Sequence, residues 1–547
     1  MNNPETPAGT PGVSAPQRYD AVIIGAGIGG LYQLYRLRGA GLKVIAIDAG
    51  SSVGGTWYWN RYPGARVDSP SHVYQYWFSE ALNDAWDWSE RFPAQPETER
   101  YLNFVADRFE LRKDIRFSTR VLSCDFDETC QRWQIQTDTG SRLDAKYLIS
   151  CAGTLSTPLK NLFEGEDNFA GEVYHTARWP RQPVDFTGKR VGVVGTGATG
   201  IQVIQTIAPQ VQSLTVFQRT APYTIPMRNR VYSNAQRADF KARFQDIKTA
   251  VRNSFVGFDF DFRYGSYHDA SPQARREVLE TLWDDGSLAL WAGSYGEIFN
   301  DQAVNDEVSA FVREKMSERI KDPALIQQLV PTGYGFGTRR VPLDTGYLET
   351  FLRPNVQIVD IKAAPIERIV AQGVQTADGQ VHELDVLILA TGFDASTGAL
   401  TQIDIRGRDR QLLRDEWSRD LRTTLGMMVH KFPNLFLTAA PLSPGAALCN
   451  APTCLQHQVE WITDCILFLE KNHRVTVEPT QEQQDRWVAH HDEMAATSLL
   501  AKTRSWYTGA NVDGKPKRLL AYAGGVNVYR EHCDAVAAQG YADFRIL

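Results

Sequence analysis

Two glycine-rich turns of one kind constrain this chain more than any other feature: VIIGAGIGG, with Gly25, Gly27 and Gly30, and VGVVGTGATG, with Gly195, Gly197 and Gly200. Each follows a short β-branched run, Val22 to Ile24 or Val191 to Val194, and each opens a stretch with helical apolar spacing. Strand, tight turn and helix in that order begin a βαβ unit. The first glycine makes the turn, the second lets backbone approach a pyrophosphate, and the third packs helix on strand. The phosphates then rest on a helix N-terminus, with its unpaired N–H groups and partial positive charge. Two such units predict an α/β protein with two Rossmann-like dinucleotide-binding domains.

The second strand of each unit ends differently. LKVIAIDAG brings Asp48 to the place where a carboxylate accepts hydrogen bonds from both ribose hydroxyls, as bound FAD or NAD requires. SLTVFQRT brings Gln218, Arg219 and Thr220 to the matching place in the second unit. A carboxylate there would repel a 2'-phosphate, whereas a guanidinium pairs with it through two hydrogen bonds. The second site is therefore expected to take NADPH.

Composition excludes several classes. In 547 residues, 43% apolar and 22% charged, two or three globular domains are expected. A net charge of -6 with no long one-sign run gives no footprint for nucleic acid. No apolar run is long enough to span a bilayer, so no membrane partner is expected. Residues 1–17 lack a basic start and an apolar stretch, and read as a disordered leader on a cytoplasmic protein. The seven cysteines are scattered, with no CxxC and no clustered His, and are expected to be reduced; no metal site is expected. The missing CxxC also speaks against a disulfide reductase built on the same two-nucleotide plan.

Along the chain, the first sheet needs later strands. The apolar run of ELDVLILATGFDA, Leu384 to Leu389, is read as a buried parallel strand that supplies one. The first domain is thus expected to be discontinuous, over 18–155 and 390–547, with the second inserted over 156–228 and 334–389. Residues 229–333 read as a helical insert: Ser271-Pro272 starts a helix that Gly286 closes, with Val278, Leu279, Leu282 and Trp283 on one face. A second helix carries Val308, Phe311, Val312, Met316 and Ile320 on one side.

Between the two units stands FAGEVYHTARWP, with the spacing FxGxxxHxxxWP. It resembles the signature of type I Baeyer-Villiger monooxygenases, and GGTWYWNRYPGARVD (Gly54 to Asp68), ATGFDA and SWYTGANVDGKP add further matches. The resemblance covers nearly the whole chain after the leader and is nearest to the phenylacetone and cyclohexanone monooxygenases. It implies FAD and NADPH as cofactors and a small-molecule ketone and O2 as substrates. Gly55, Thr56, Trp57 and Asp68 of the second signature are placed at the flavin.

In such enzymes a peroxyflavin anion attacks a ketone carbonyl, and a tetrahedral oxyanion then rearranges to an ester or lactone. Two successive anions need a cation, and arginine keeps its charge at any working pH. The family places that arginine in a Gly-Thr-Lys-Arg segment, matched here by Gly337-Thr338-Arg339-Arg340, so Arg340 is the candidate. Arg339 replaces the usual lysine and is expected at the 2'-phosphate. Asp68 corresponds to the acidic partner that fixes the catalytic arginine. His175 is read as structural, and Trp506 as part of a loop that closes over the cofactor and excludes water.

Two rival readings differ in class. An N- or S-oxygenating flavin monooxygenase would use a neutral hydroperoxide and would not need Arg340 or Asp68; a redox-sensing NADPH-binding protein would not turn over. Pro441 to Ala447 resembles a loop that shapes the ketone pocket, but cyclic, aryl and long-chain ketones all stay open. A monomer or weak homo-oligomer is expected.

Overall fold

The structure, a computed structural model, describes residues 16–547, the side chain of Ala446 excepted. Residues 1–15 of the expected leader lie outside them, and Gln17 already belongs to the first strand, Gln17–Ile24.

Two mainly parallel sheets organise the chain. In the first, Gln17–Ile24 lies between Val44–Ile47 and Arg142–Ser150, parallel to both, with Ile23 opposite Ala46 and Ile149. Leu435–Leu437 extends it in parallel on Leu148 to Ser150, and the antiparallel strands Arg132–Thr137 and Val121–Asp127 continue the same edge. In the second sheet the order is Val356–Asp360, Ser213–Gln218, Arg190–Val194, Val386–Leu389 and Glu172–His175, all parallel. Strands buried on both faces need helices on both sides, and the β-branched runs before each glycine turn supply such strands.

The segment ELDVLILATGFDA departs from the sequence reading in two ways. Its strand is Val386–Leu389 and lies in the second sheet, paired with Arg190–Val194, so it does not complete the first. The later strand that joins the first sheet is Leu435–Leu437. The strand also starts after Asp385, whose carboxylate accepts from the Arg190 backbone N–H and guanidinium at 2.8 Å each. An apolar parallel strand announces burial; it carries no mark of which sheet will take it.

From Asn234 to Leu329 the chain is mostly helical. Ser271 caps helix Pro272–Asp285 by accepting from the Ala274 N–H, and Gly286 ends it with φ +63°. Leu279, Leu282 and Trp283 are buried, as are Val308, Phe311, Val312, Met316 and Ile320 of helix Gln302–Ile320. These side chains join one apolar core with the second sheet, and that core includes Trp291, Tyr507 and Leu448. Among the described residues no helix is long and apolar enough to cross a membrane.

Candidate active site

Both glycine turns have the geometry their sequence implies. Gly25 and Gly195 adopt φ +103° and +105°, a region that only glycine enters without strain. A side chain at Gly30 would stand 1.9 Å from the Gly25 carbonyl, and one at Gly200 2.1 Å from the Gly195 carbonyl, so helix and strand pack at backbone contact. Helices Ile28–Gly39 and Ala198–Ile207 begin at Gly27 and Gly197 with no side-chain cap and no acidic residue in the first turn. Those orphan N–H groups are what a pyrophosphate takes. Beside Gly197 a Cβ would meet nothing within 4 Å, so the cradle is open.

Asp48 sits after the second strand as expected. Its carboxylate also holds the turn together, accepting from Ala26 N and Gly50 N at 2.6 Å each. Burial raises its pKa, while those two amide bonds act in the opposite direction. Gly55 starts the short helix Thr56–Trp59 with φ +54° and packs on Gly27, so the second signature backs the first glycine turn. Trp57 is buried and donates from Nε1 to the Tyr74 hydroxyl at 3.0 Å; Thr56 is exposed. The far end of the signature leans on the other unit: the Tyr62 hydroxyl donates to Gln202 at 3.0 Å, and Gln202 donates to the Arg66 carbonyl at 3.1 Å.

At the end of Ser213–Gln218, Arg219 and Thr220 are exposed, and the Thr220 carbonyl accepts from Thr196 in the glycine turn at 3.1 Å. Arg339 stacks over the Tyr334 ring at 4.3 Å and its Nε is buried without a hydrogen-bond partner among the described residues. Its pKa is lowered, first by burial and also by the neighbouring charge of Arg219. Two neighbouring guanidinium charges suit a dianionic phosphate.

Arg340 and Asp68, 272 positions apart in sequence, form an ion pair: Nε and Nη2 donate to Oδ2 at 3.1 and 2.6 Å. The guanidinium lies 5.5 Å from the Trp291 ring centroid. Burial alone would lower its pKa, but the Asp68 carboxylate and the Tyr507 phenol raise it, so the charge is secure. Tyr507 is wholly buried; burial pushes its pKa up to about 12, and its hydroxyl makes no formed hydrogen bond among the described residues. Sequence reasoning missed Tyr507 and Trp291. Tyr507 stands beside Trp506 in SWYTGANVDGKP and was within reach of that motif. Trp291 carries no signal, since an indole in a helical insert reads as packing.

Trp506 is half-buried and its ring meets Tyr507 edge-on at 4.4 Å, and it is the Tyr507 phenol that acts on the Arg340 charge. His175 ends the strand Glu172–His175 with Nδ1 accepting from Ala177 N at 3.1 Å and Nε2 donating to the Leu159 carbonyl at 3.2 Å. Burial lowers its pKa, and both nitrogens are used by backbone, which matches a structural role. The cysteines depart from expectation. Cys449 and Cys454 form a disulfide with Cα atoms 6.4 Å apart, while the other five are free thiols. The spacing differs from CxxC, and the helix that starts at Ala451 brings the two together.

Known proteins resemble the chain over nearly its whole length. The chain is 54% identical over 527 residues, 96% of its length and 99% of the relative's, to acetone monooxygenase (methyl acetate-forming) of Gordonia sp. strain TY-5. Acetone to methyl acetate is oxygen insertion beside a carbonyl. The chain belongs to the Baeyer-Villiger monooxygenases. A protein of that name from Pseudooceanicola batsensis is 40% identical over 96% of this chain and 95% of its own. The solved structure of OTEMO in complex with FAD and NADP superposes with a TM-score of 0.93 at 38% identity, covering 98% of this chain and 100% of that one. This Baeyer-Villiger monooxygenase accordingly uses FAD and NADPH. A family profile described as pyridine nucleotide-disulphide oxidoreductase matches residues 22–257, the stretch with both glycine turns. The sequence between has no CxxC, so the match reflects the shared two-nucleotide plan. Phenazine N-monooxygenase PhzNO1 of Lysobacter antibioticus is also related, at 39% identity over 96% of both chains.

Proposed function

We propose that Arg340 is the cation of the oxygenation step and that Asp68 positions it. The single observation that carries this is the pair itself, brought together from distant segments beside Tyr507 and Trp291. Bound FAD, once reduced by NADPH, supplies activated oxygen to the site. Arg340 Nε and Nη2 both donate to one oxygen of Asp68, and Nη1 donates no hydrogen bond among the described residues. That free edge donates to negative oxygen as charge develops on it, which is worth most where water is excluded. Asp68 fixes the fork and tempers its charge. Arg219 and Arg339 hold the 2'-phosphate of NADPH, Asp48 the ribose of FAD, and the two glycine turns the pyrophosphates. The two sheets accordingly divide the cofactors, FAD on the first and NADPH on the second.

Trp291 and Tyr507, which flank Arg340, belong to one apolar core, and such surroundings suit a neutral carbonyl compound. With the Gordonia relative acting on acetone, we infer a short-chain ketone as substrate, and a cytoplasmic monomer or weak homo-oligomer as the form that meets NADPH. The experiment is product analysis with acetone, butanone, cyclohexanone, a thioether and an N-heterocycle, each with NADPH and O2. One methyl acetate per NADPH from acetone is the expected result. Oxygen found only on nitrogen or sulfur would overturn the ketone assignment.

A further inference from the structure

The segment 505–516, which carries Tyr507, is fastened at its far end by a partly buried ion pair. Lys515 Nζ donates to Asp394 Oδ1 at 2.7 Å and to the Ala395 carbonyl at 2.6 Å, with only 8% of the lysine side chain exposed. A second tie runs from Asn511 Nδ2 to the Phe393 carbonyl at 2.8 Å. Both land on the stretch just after strand Val386–Leu389, where the chain leaves the second sheet. That stretch is itself stitched to the connection out of the first sheet: Asp394 N donates to the Thr157 carbonyl, Ser396 N to Thr154, and Leu159 N to Gly392. The ion pair and these backbone bonds together join three segments, the two links between the sheets and the loop that carries Tyr507.

The loop is wound so that it transmits this tie. Gly509 turns it with φ +67°, and a side chain there would stand 3.3 Å from Lys515 Cδ, so the lysine stem packs on the turn that follows Tyr507. Ser505 caps the short turn Trp506–Thr508 and Tyr507 passes its carbonyl to Leu520 N at 2.7 Å. Burial lowers the Lys515 pKa, against the pull of Asp394.

We propose that the Lys515–Asp394 pair is a positioning clasp that holds Tyr507 against Arg340 and thereby sets how much NADPH oxidation ends in ester. This inference rests on the role of Arg340 given above and adds two residues with no contact to the reacting atoms. A coupled turnover is NADPH + H+ + O2 + ketone → NADP+ + H2O + ester. The leak is NADPH + H+ + O2 → NADP+ + H2O2, in which the same two electrons reduce oxygen and none is inserted. A loosened loop admits water and shifts turnover to the second equation.

The test uses the FAD-loaded full chain with acetone. Lys515→Met leaves the partly buried Asp394 carboxylate without its cation and Asp394→Asn leaves the Lys515 ammonium without its anion, whereas the double variant leaves neither charge. Each single variant is expected to raise the H2O2 fraction at least threefold with the rate of anaerobic flavin reduction by NADPH within twofold of wild type. The double variant should leak less than either single one. Amide exchange across 505–516 in the NADP+ complex should accelerate about tenfold in the single variants, a readout independent of turnover. Asn511→Ala, which cuts the second tie at a partly exposed residue, should show the same leak to a smaller degree and serves if the single charge variants fail to hold FAD. Wild-type coupling and wild-type exchange in Asn511→Ala, or in Lys515→Met with FAD bound, would overturn the clasp. Absence of ester from the wild-type enzyme with every ketone would instead overturn the reading of Arg340.

Discussion

At the scale of single residues, the two proposed nucleotide sites differ in charge. Asp48 is an acid held by two amides, and Arg219 is a base in the corresponding place beside Arg339. Charge-assisted hydrogen bonds contribute about 1.5–3 kcal/mol each, or about one to two decades of affinity. Arg219→Ala is therefore expected to raise the NADPH Michaelis constant about tenfold or more while that for NADH changes little. Steady-state kinetics with both coenzymes check this; equal losses for the two would detach Arg219 from the 2'-phosphate. These residues were legible because each follows a strand and a glycine turn in fixed order. Arg340 and Asp68 needed the family resemblance, since an ion pair spanning 272 positions leaves no local pattern.

At the scale of elements, helix Gln481–Thr497 supports the strand-like segment that returns from Tyr507. His491 in that helix is fully buried and donates from Nε2 to the Leu519 carbonyl at 2.8 Å. Burial holds its pKa down at about 4, well below the ordinary 6.5. The folded state thus prefers the neutral ring. Its contribution is complete above pH 6.5 and is lost as pH falls toward 4, where the unfolded chain has already taken the proton. A shift of this size corresponds to about 3 kcal/mol in all, of which about 2 is lost by pH 5. His491→Gln should flatten the pH dependence: urea unfolding at pH 7.5 and pH 5 should show a smaller drop for the variant than for wild type. An identical drop in both would remove His491 as its source. Other elements show what periodicity misses. Helices with caps, such as Pro272–Asp285, are written in Ser271 and Gly286, but the sheet that Val386–Leu389 joins depends on partners hundreds of residues away. The Cys449–Cys454 pairing arises from a helix start that cysteine spacing does not encode.

At the scale of the whole molecule, two sheets and a helical layer converge on one guanidinium. The first sheet and its signature supply Asp68, the helical region Trp291, the segment before the second sheet's last strands Arg340, and the C-terminal region Tyr507. On the proposed assignment, the surfaces for NADPH oxidation and for oxygen insertion meet at this guanidinium. The most direct measurement compares the two half-reactions in Arg340→Ala. Stopped-flow reduction of the flavin by NADPH without oxygen should stay within a few-fold of wild type, while methyl acetate formation from acetone in air falls at least about a hundredfold. Ester formation at the wild-type rate in that variant would contradict the account.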